Sequence, residues 1–156
     1  GAWFSGFRSA YTSLPSYKKG IEFLEKSLND AQLNKDRKGE IKWLTRLGFV
    51  HWQIGMRKES RTFYKKAYNL QLKEKDKTRQ AEILNGLALV AMGNKQLLQA
   101  KKHHQKALKI AKRTNDKKQE ALALGGLASI TLSERKFHEA MDLFQEALDH
   151  YEKFLD

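Results

Sequence analysis

An all-α array of about four helical hairpins is the fold class this sequence predicts, and three observations carry it. Asp36, Asp76, Asp116 and Asp156 recur at intervals of 40 residues, and the segments between them superpose without a gap. In the superposed segments Leu44, Leu84 and Leu124 share a column, as do Leu47, Leu87 and Leu127; Gly48, Ala88 and Ala128; and Ala67, Ala107 and Ala147. Within a segment the apolar residues follow helical spacing: Ile83, Leu84, Leu87, Ala88, Val90 and Ala91 in the first half, then Leu97, Ala100, His104, Ala107, Leu108, Ile110 and Ala111 in the second. A period of this length marks a solenoid or a propeller, because each unit has an apolar face that only a stacked neighbour can bury, and the helical spacing suits the solenoid.

The elements follow in order, as one array over residues 1–156. Residues 1–35 read as a degenerate first unit. Phe4, Phe7 and Tyr11 fall in the columns of Leu44, Leu47 and His51, while Tyr17, Gly20, Leu24 and Ser27 fall in those of Arg57, Ser60, Tyr64 and Ala67. Pro15 places the turn of this hairpin at Ser13-Leu14-Pro15-Ser16, since proline is tolerated in the first turn of a helix and not in its interior. Units 36–75, 76–115 and 116–156 follow. Their first helices are expected near 38–53, 78–93 and 118–132, and their second near 57–74, 97–114 and 137–155. Breaks are expected near Gly93-Asn94, where Gly and Asn suit the left-handed conformation that ends a helix, and near Asn115-Asp116, where Asp caps the next one.

Composition narrows the class. Apolar residues make up 40% and charged residues 31%, enough for a thin two-layer core under a solvated surface. Lys, Gln or Glu interrupts every apolar stretch well before the roughly 20 residues of a membrane helix, so no insertion is expected. Gly1-Ala2-Trp3-Phe4 does not open like a secretory signal, and Gly1 suits a chain taken from a longer protein. The absence of cysteine excludes disulfides and thiolate metal sites and suits an intracellular, cytoplasmic setting. The net charge of +12 is uneven: residues 1–115 hold 25 Lys or Arg against 9 Asp or Glu, whereas residues 116–156 hold 5 against 9. Such a dipole orients anionic partners, or a second copy head to tail.

Small residues in fixed columns permit close helix approach, and aromatics fill the gaps between them. The joint pattern reads Leu47-Gly48, Ser60, Tyr64, Ala67; Leu87-Ala88, Ala100, His104, Ala107; and Leu127-Ala128, Ala140, Phe144, Ala147. It resembles the tetratricopeptide repeat over essentially the whole chain. The usual unit has about 34 residues, and the 40-residue spacing here resembles that of Pins-type (Leu-Gly-Asn) polarity adaptors and bacterial peptide-sensing regulators. The resemblance implies a right-handed superhelix whose first helices line a concave groove that takes up an extended or helical peptide or protein segment, and Lys42 and Arg46 beside the apolar Phe49 and Trp52 suggest an acidic or amphipathic one.

On that resemblance the groove stripe comprises Lys42, Thr45, Arg46, Phe49, Trp52 and Gln53, then Glu82, Asn85, Leu89 and Met92, then Leu122, Ser129, Leu132 and Ser133. Phe49 and Trp52 beside Arg46 combine the residue types of binding hot spots, and Asn85 is placed to hold a peptide backbone. The alternative is that Phe49 and Trp52 bury against neighbouring helices. Lys42 and Arg46 resemble half of the carboxylate clamp of chaperone-binding members, but its Asn columns hold Ser9, Phe49, Leu89 and Ser129, which argues against that partner.

A second candidate is a basic outer stripe on the second helices: Lys58, Arg61, Lys65 and Lys66, then Lys101, Lys102, Lys106 and Lys109. It suits nucleic acid or an anionic surface, yet no aromatics interleave with it for base stacking, and a solvated lysine face explains it as well. Catalysis is not expected. His51, His103, His104, His138 and His150 lack the spacing for joint metal ligation on one helix, His104 stands in the aromatic core column, and Gly125-Gly126 lies inside a helix, where close helix contact or groove depth explains it better than a phosphate loop. No cofactor is implied. Phe137, Met141, Phe144, Leu148 and Tyr151 on the last hairpin, and Trp3, Phe4 and Phe7 on the first, leave apolar ends that suggest self-association through terminal hairpins or a longer array.

Overall fold

The computed structural model describes residues 14–155, with side chains from 16 to 153. All regular structure among them is α-helical, in two compact units, Gly1–Lys73 and Glu74–Asp156. The first holds α1 (Leu14–Leu33), α2 (Arg37–Gln53) and α3 (Arg57–Gln71), with α1 packed on α2 and α2 on α3. The second holds α4 (Gln80–Gly93), α5 (Leu97–Thr114), α6 (Lys117–Ser133) and α7 (Phe137–Leu155), each packed on the next, with α4 also against α6. The helix expected around Phe4, Phe7 and Tyr11 lies outside the described residues.

The repeated columns become the core. Leu47, Ala67, Ala88, Ala100, Ala107 and Ala128 have no measurable exposure. Where unit 1 has Ser60 instead of the Ala100 and Ala140 of unit 2, its hydroxyl donates to the Gly48 carbonyl at 2.6 Å, so the buried oxygen is satisfied. Gly48 itself lies under Tyr64, whose ring would stand 2.9 Å from a Cβ placed there.

Helix ends repeat as well, with two corrections. Asp36 and Asp116 cap α2 and α6, accepting from Gly39 N at 3.0 Å and Gln119 N at 3.2 Å. Asp76 instead accepts from Thr78 N at 3.0 Å, a local turn that competes with helix capping. So α3 stops at Gln71, short of the expected 74, and α4 opens at Gln80 instead of 78. The left-handed residue after α4 is Lys95 (φ 60°) and not Gly93 or Asn94; it shares a column with Gly55 (φ 84°) and Arg135 (φ 64°). The break expected at Asn115-Asp116 is present, and Asn115 there is left-handed (φ 56°).

In the second unit the packing centres on His104, 1% exposed, whose ring lies against Gly126. A Cβ on Gly126 would overlap Nε2 and stand 2.5 Å from Cε1. Gly126→Ala is therefore expected to destabilise by roughly 1–3 kcal/mol through overpacking. Gly125→Ala, where an added Cβ meets nothing within 4 Å, is expected to stabilise by up to about 1 kcal/mol through helix propensity. Urea unfolding of both variants checks this; equal effects would show that the His104 contact is not the constraint.

Candidate protein-binding surfaces

On α2, Lys42, Arg46, Phe49 and Gln53 fall at i, i+4, i+7 and i+11, one line along the helix. Lys42 Nζ lies 4.6 Å from the Trp43 ring centroid, and Trp43 is met edge-on by Phe23 at 6.0 Å. Phe49 is 42% exposed and stacks on half-buried Trp52, with ring centroids 6.0 Å apart. Arg46 and Gln53 are exposed. The alternative of burial thus fails for Phe49 and holds in part for Trp52. Thr45 is a correction: it is 1% exposed and its hydroxyl donates to the Ile41 carbonyl at 2.7 Å, because its side of the helix faces the core.

In the second unit the expected surface thins out. Asn85 is 3% exposed and cannot reach a peptide. Its Nδ2 donates to the Gln119 carbonyl and to Gln119 Oε1, both at 3.0 Å, and its Oδ1 accepts from His104 Nδ1 at 2.9 Å. The cause is the position of α4, packed against both α5 and α6. Accepting at Oδ1 fixes the His104 proton on Nδ1, so Nε2 keeps its lone pair against Gly126 with no hydrogen-bond partner. Protonation would set an unpaired N–H there. Burial, and secondarily the neighbouring His103, hold the His104 pKa down to about 4. Glu82 is half-buried and pairs with Arg79 at 3.1 Å, Leu89 is half-buried, and Met92 packs on Ala88, Ala91, Ala100 and Ile130. Leu122, Ser129, Leu132 and Ser133 on α6 are exposed.

The basic residues are solvated. Lys58, Arg61, Lys65 and Lys66 are exposed on α3, and Lys66 also lines an open cavity of about 300 Å³ with Leu28, Leu44, Phe63 and Leu70. On α5, Lys101 pairs with Glu134 at 3.6 Å, while Lys102, Lys106 and Lys109 surround a depression of about 380 Å³ with Gln99, His103 and Gln105. No Phe, Tyr or Trp lines that depression. Trp43, which anchors Lys42, was missed by the sequence reading; its signal was its place directly after Lys42 on the same helix.

Among the described residues no helix is long and apolar enough to cross a membrane. Residues 79–153 and, separately, residues 43–74 match profiles of the tetratricopeptide repeat. No curated protein matches the sequence. The crystal structure of BtubC (BKLC) from P. vanneervenii is similar with a TM-score of 0.69 at 18% identity, over 88% of this chain and 57% of that one. The chain therefore spans little more than half the length of that relative, and the likeness is one of fold. Two profile matches over consecutive hairpins, with the small columns buried throughout and the aromatic column buried at Tyr64 and His104, show that the chain belongs to the tetratricopeptide repeat family, a non-catalytic scaffold type whose repeats serve protein–protein interaction.

Proposed function

We propose that this chain is an intracellular scaffold that binds an acidic or amphipathic peptide segment of a partner on the α2 surface formed by Lys42, Arg46, Phe49 and Trp52. The stack of exposed Phe49 on half-buried Trp52, beside Arg46, carries the reading. An apolar platform supplies the buried area and the cations supply selection for a carboxylate-bearing segment, the division of labour of a binding hot spot. Asn85 and Thr45 play no part. The 40-residue spacing, which resembles that of Pins-type adaptors and peptide-sensing regulators, favours the same class of role.

In a titration with an acidic amphipathic peptide, Arg46→Ala is expected to weaken binding by on the order of 1–3 kcal/mol, with helicity unchanged. Trp52→Ala should weaken it comparably. Unchanged affinity in both variants would reject this surface. Binding of DNA at low salt that collapses as salt rises, and that survives Arg46→Ala, would shift the assignment to the outer lysines.

A further inference from the structure

The outer face of α7 carries an apolar stripe that no element covers among the described residues. Phe137, Met141, Phe144, Leu148 and Tyr151 fall at i, i+4, i+7, i+11 and i+14, and are 52%, 67%, 41%, 50% and 36% exposed. Scattered exposed leucines need no explanation, but five large apolar side chains in one line do.

The chain itself shows what such a face receives. Forty residues earlier the same columns are Leu97, Lys101, His104, Leu108 and Ala111 on α5, and there α6 is the helix laid against them. Gly126 of α6 sits on the His104 ring, and Glu134, just past its end, pairs with Lys101 at 3.6 Å. Phe144 stands where His104 stands, and among the described residues it is left 41% exposed where His104 is buried.

The edge of the stripe reverses its charge between the two helices. Lys102, Lys106, Lys109 and Lys112 on α5 correspond to Asp142, Glu146, Asp149 and Glu152 on α7. All four acidic residues are exposed, and none forms an ion pair among the described residues; Asp149 only accepts from Gln145 Nε2 at 3.0 Å. An incoming helix of the same shape as α6 would thus meet an apolar stripe bordered by four carboxylates.

We propose that this face docks a basic amphipathic helix of a partner protein. Its apolar side chains lie along Phe137, Met141, Leu148 and Tyr151, a Gly or Ala sits over Phe144, and Lys or Arg residues follow the acidic edge. A second copy of the unit does not meet this description through α5, its basic helix, because the matching face of α5 already carries α6. The site is independent of the α2 surface, which selects the opposite charge.

The test uses two synthetic helices of about 18 residues with Leu and Ala on one face and a central Gly. One bears Lys on both flanks; its twin bears Glu at every Lys position. In fluorescence anisotropy with the whole chain, the Lys peptide is expected to bind about tenfold tighter than the twin, with the difference shrinking as salt rises. Met141→Glu changes the most exposed of the five and so leaves folding intact; it should weaken the Lys peptide about tenfold. The pair Asp142→Lys with Asp149→Lys should reverse the preference. Equal affinity for both peptides, or no effect of Met141→Glu, overturns the proposal. So does concentration-dependent self-association abolished by Met141→Glu, which would give the face to a second copy. Arg46→Ala should leave the Lys peptide unaffected, so failure here and failure of the α2 surface are separately visible.

Discussion

Replacing Asn85 with Ala is expected to cost roughly 2–5 kcal/mol of folding free energy, a large fraction of the stability of a small helical unit. The residue lies inside the unit at 3% exposure, and its amide joins three helices or their edges: α4 by its backbone, α5 through His104 and α6 through Gln119. Removal leaves the His104 Nδ1–H and the side-chain oxygen of Gln119 buried without the partner that faced them. Each such group costs about 1–3 kcal/mol when water cannot reach it. A double-mutant cycle with His104→Ala separates this network from simple cavity formation, with a coupling energy of about 1–3 kcal/mol expected between the two positions. A loss below about 0.5 kcal/mol for Asn85→Ala, measured by urea unfolding, would mean that the amide is idle.

By spacing alone Asn85 fits a solvent-facing groove line, which is as much as a pattern on one helix can show. Its column holds Thr45, Asn85 and Gly125, polar or small in every unit, which is also what a solvent-facing line looks like. Burial of that column comes from helices packed on two sides of α4 and from side chains that satisfy the amide, neither of which is written in the spacing along α4. Thr45 deceives in the same way, by donating its hydroxyl to the turn beneath it. By contrast, the core columns were legible because Gly, Ala and Ser are demanded wherever two helix backbones approach, and few other constraints produce small residues at a fixed long period. His104 as a packed histidine and Gly126 as its seat follow from the same logic.

Chain turns were legible by column more than by residue type. Gly93 and Asn94 are good left-handed residues in isolation, yet the position that needs the left-handed conformation is the column of Gly55, Lys95 and Arg135. Two of those three bear a Cβ, so the hairpin geometry overrides the local preference. The early end of α3 depends on whether Asp76 caps a helix or closes a turn, a choice between two hydrogen bonds of similar strength. On the surface, Arg46 and Phe49 are exposed and Lys42 is half-buried, on a line that helical spacing and charge suffice to place.

Acidification from pH 7 to pH 4 is expected to remove roughly 3 kcal/mol of stability through His104 alone. Its pKa is lowered from 6.5 to about 4, first by burial and then by His103, whose own pKa is lowered by burial and by Lys106. The hydrogen-bond geometry supports the direction: Nδ1 already donates to Asn85 Oδ1, and a second proton would go onto Nε2, which faces Gly126 with no acceptor. Above pH 6.5 the ring is neutral in both states and the stability is complete. Between 6.5 and about 4 the unfolded chain binds a proton that the folded ring refuses, so stability falls as pH falls. Below about 4 the folded ring is charged too, and the loss stops growing. Acid acts on a folded chain through more than one group, so the contribution of His104 must be isolated. His104→Gln does this, because its amide can still donate to Asn85 and does not titrate. Urea unfolding at pH 7, 5.5 and 4 should show the stability of the variant falling less than that of the wild-type chain, by about 3 kcal/mol over the full range. Parallel curves would show that His104 is protonated in the folded unit, and the hydrogen-bond assignment at Nδ1 and Nε2 would then be wrong.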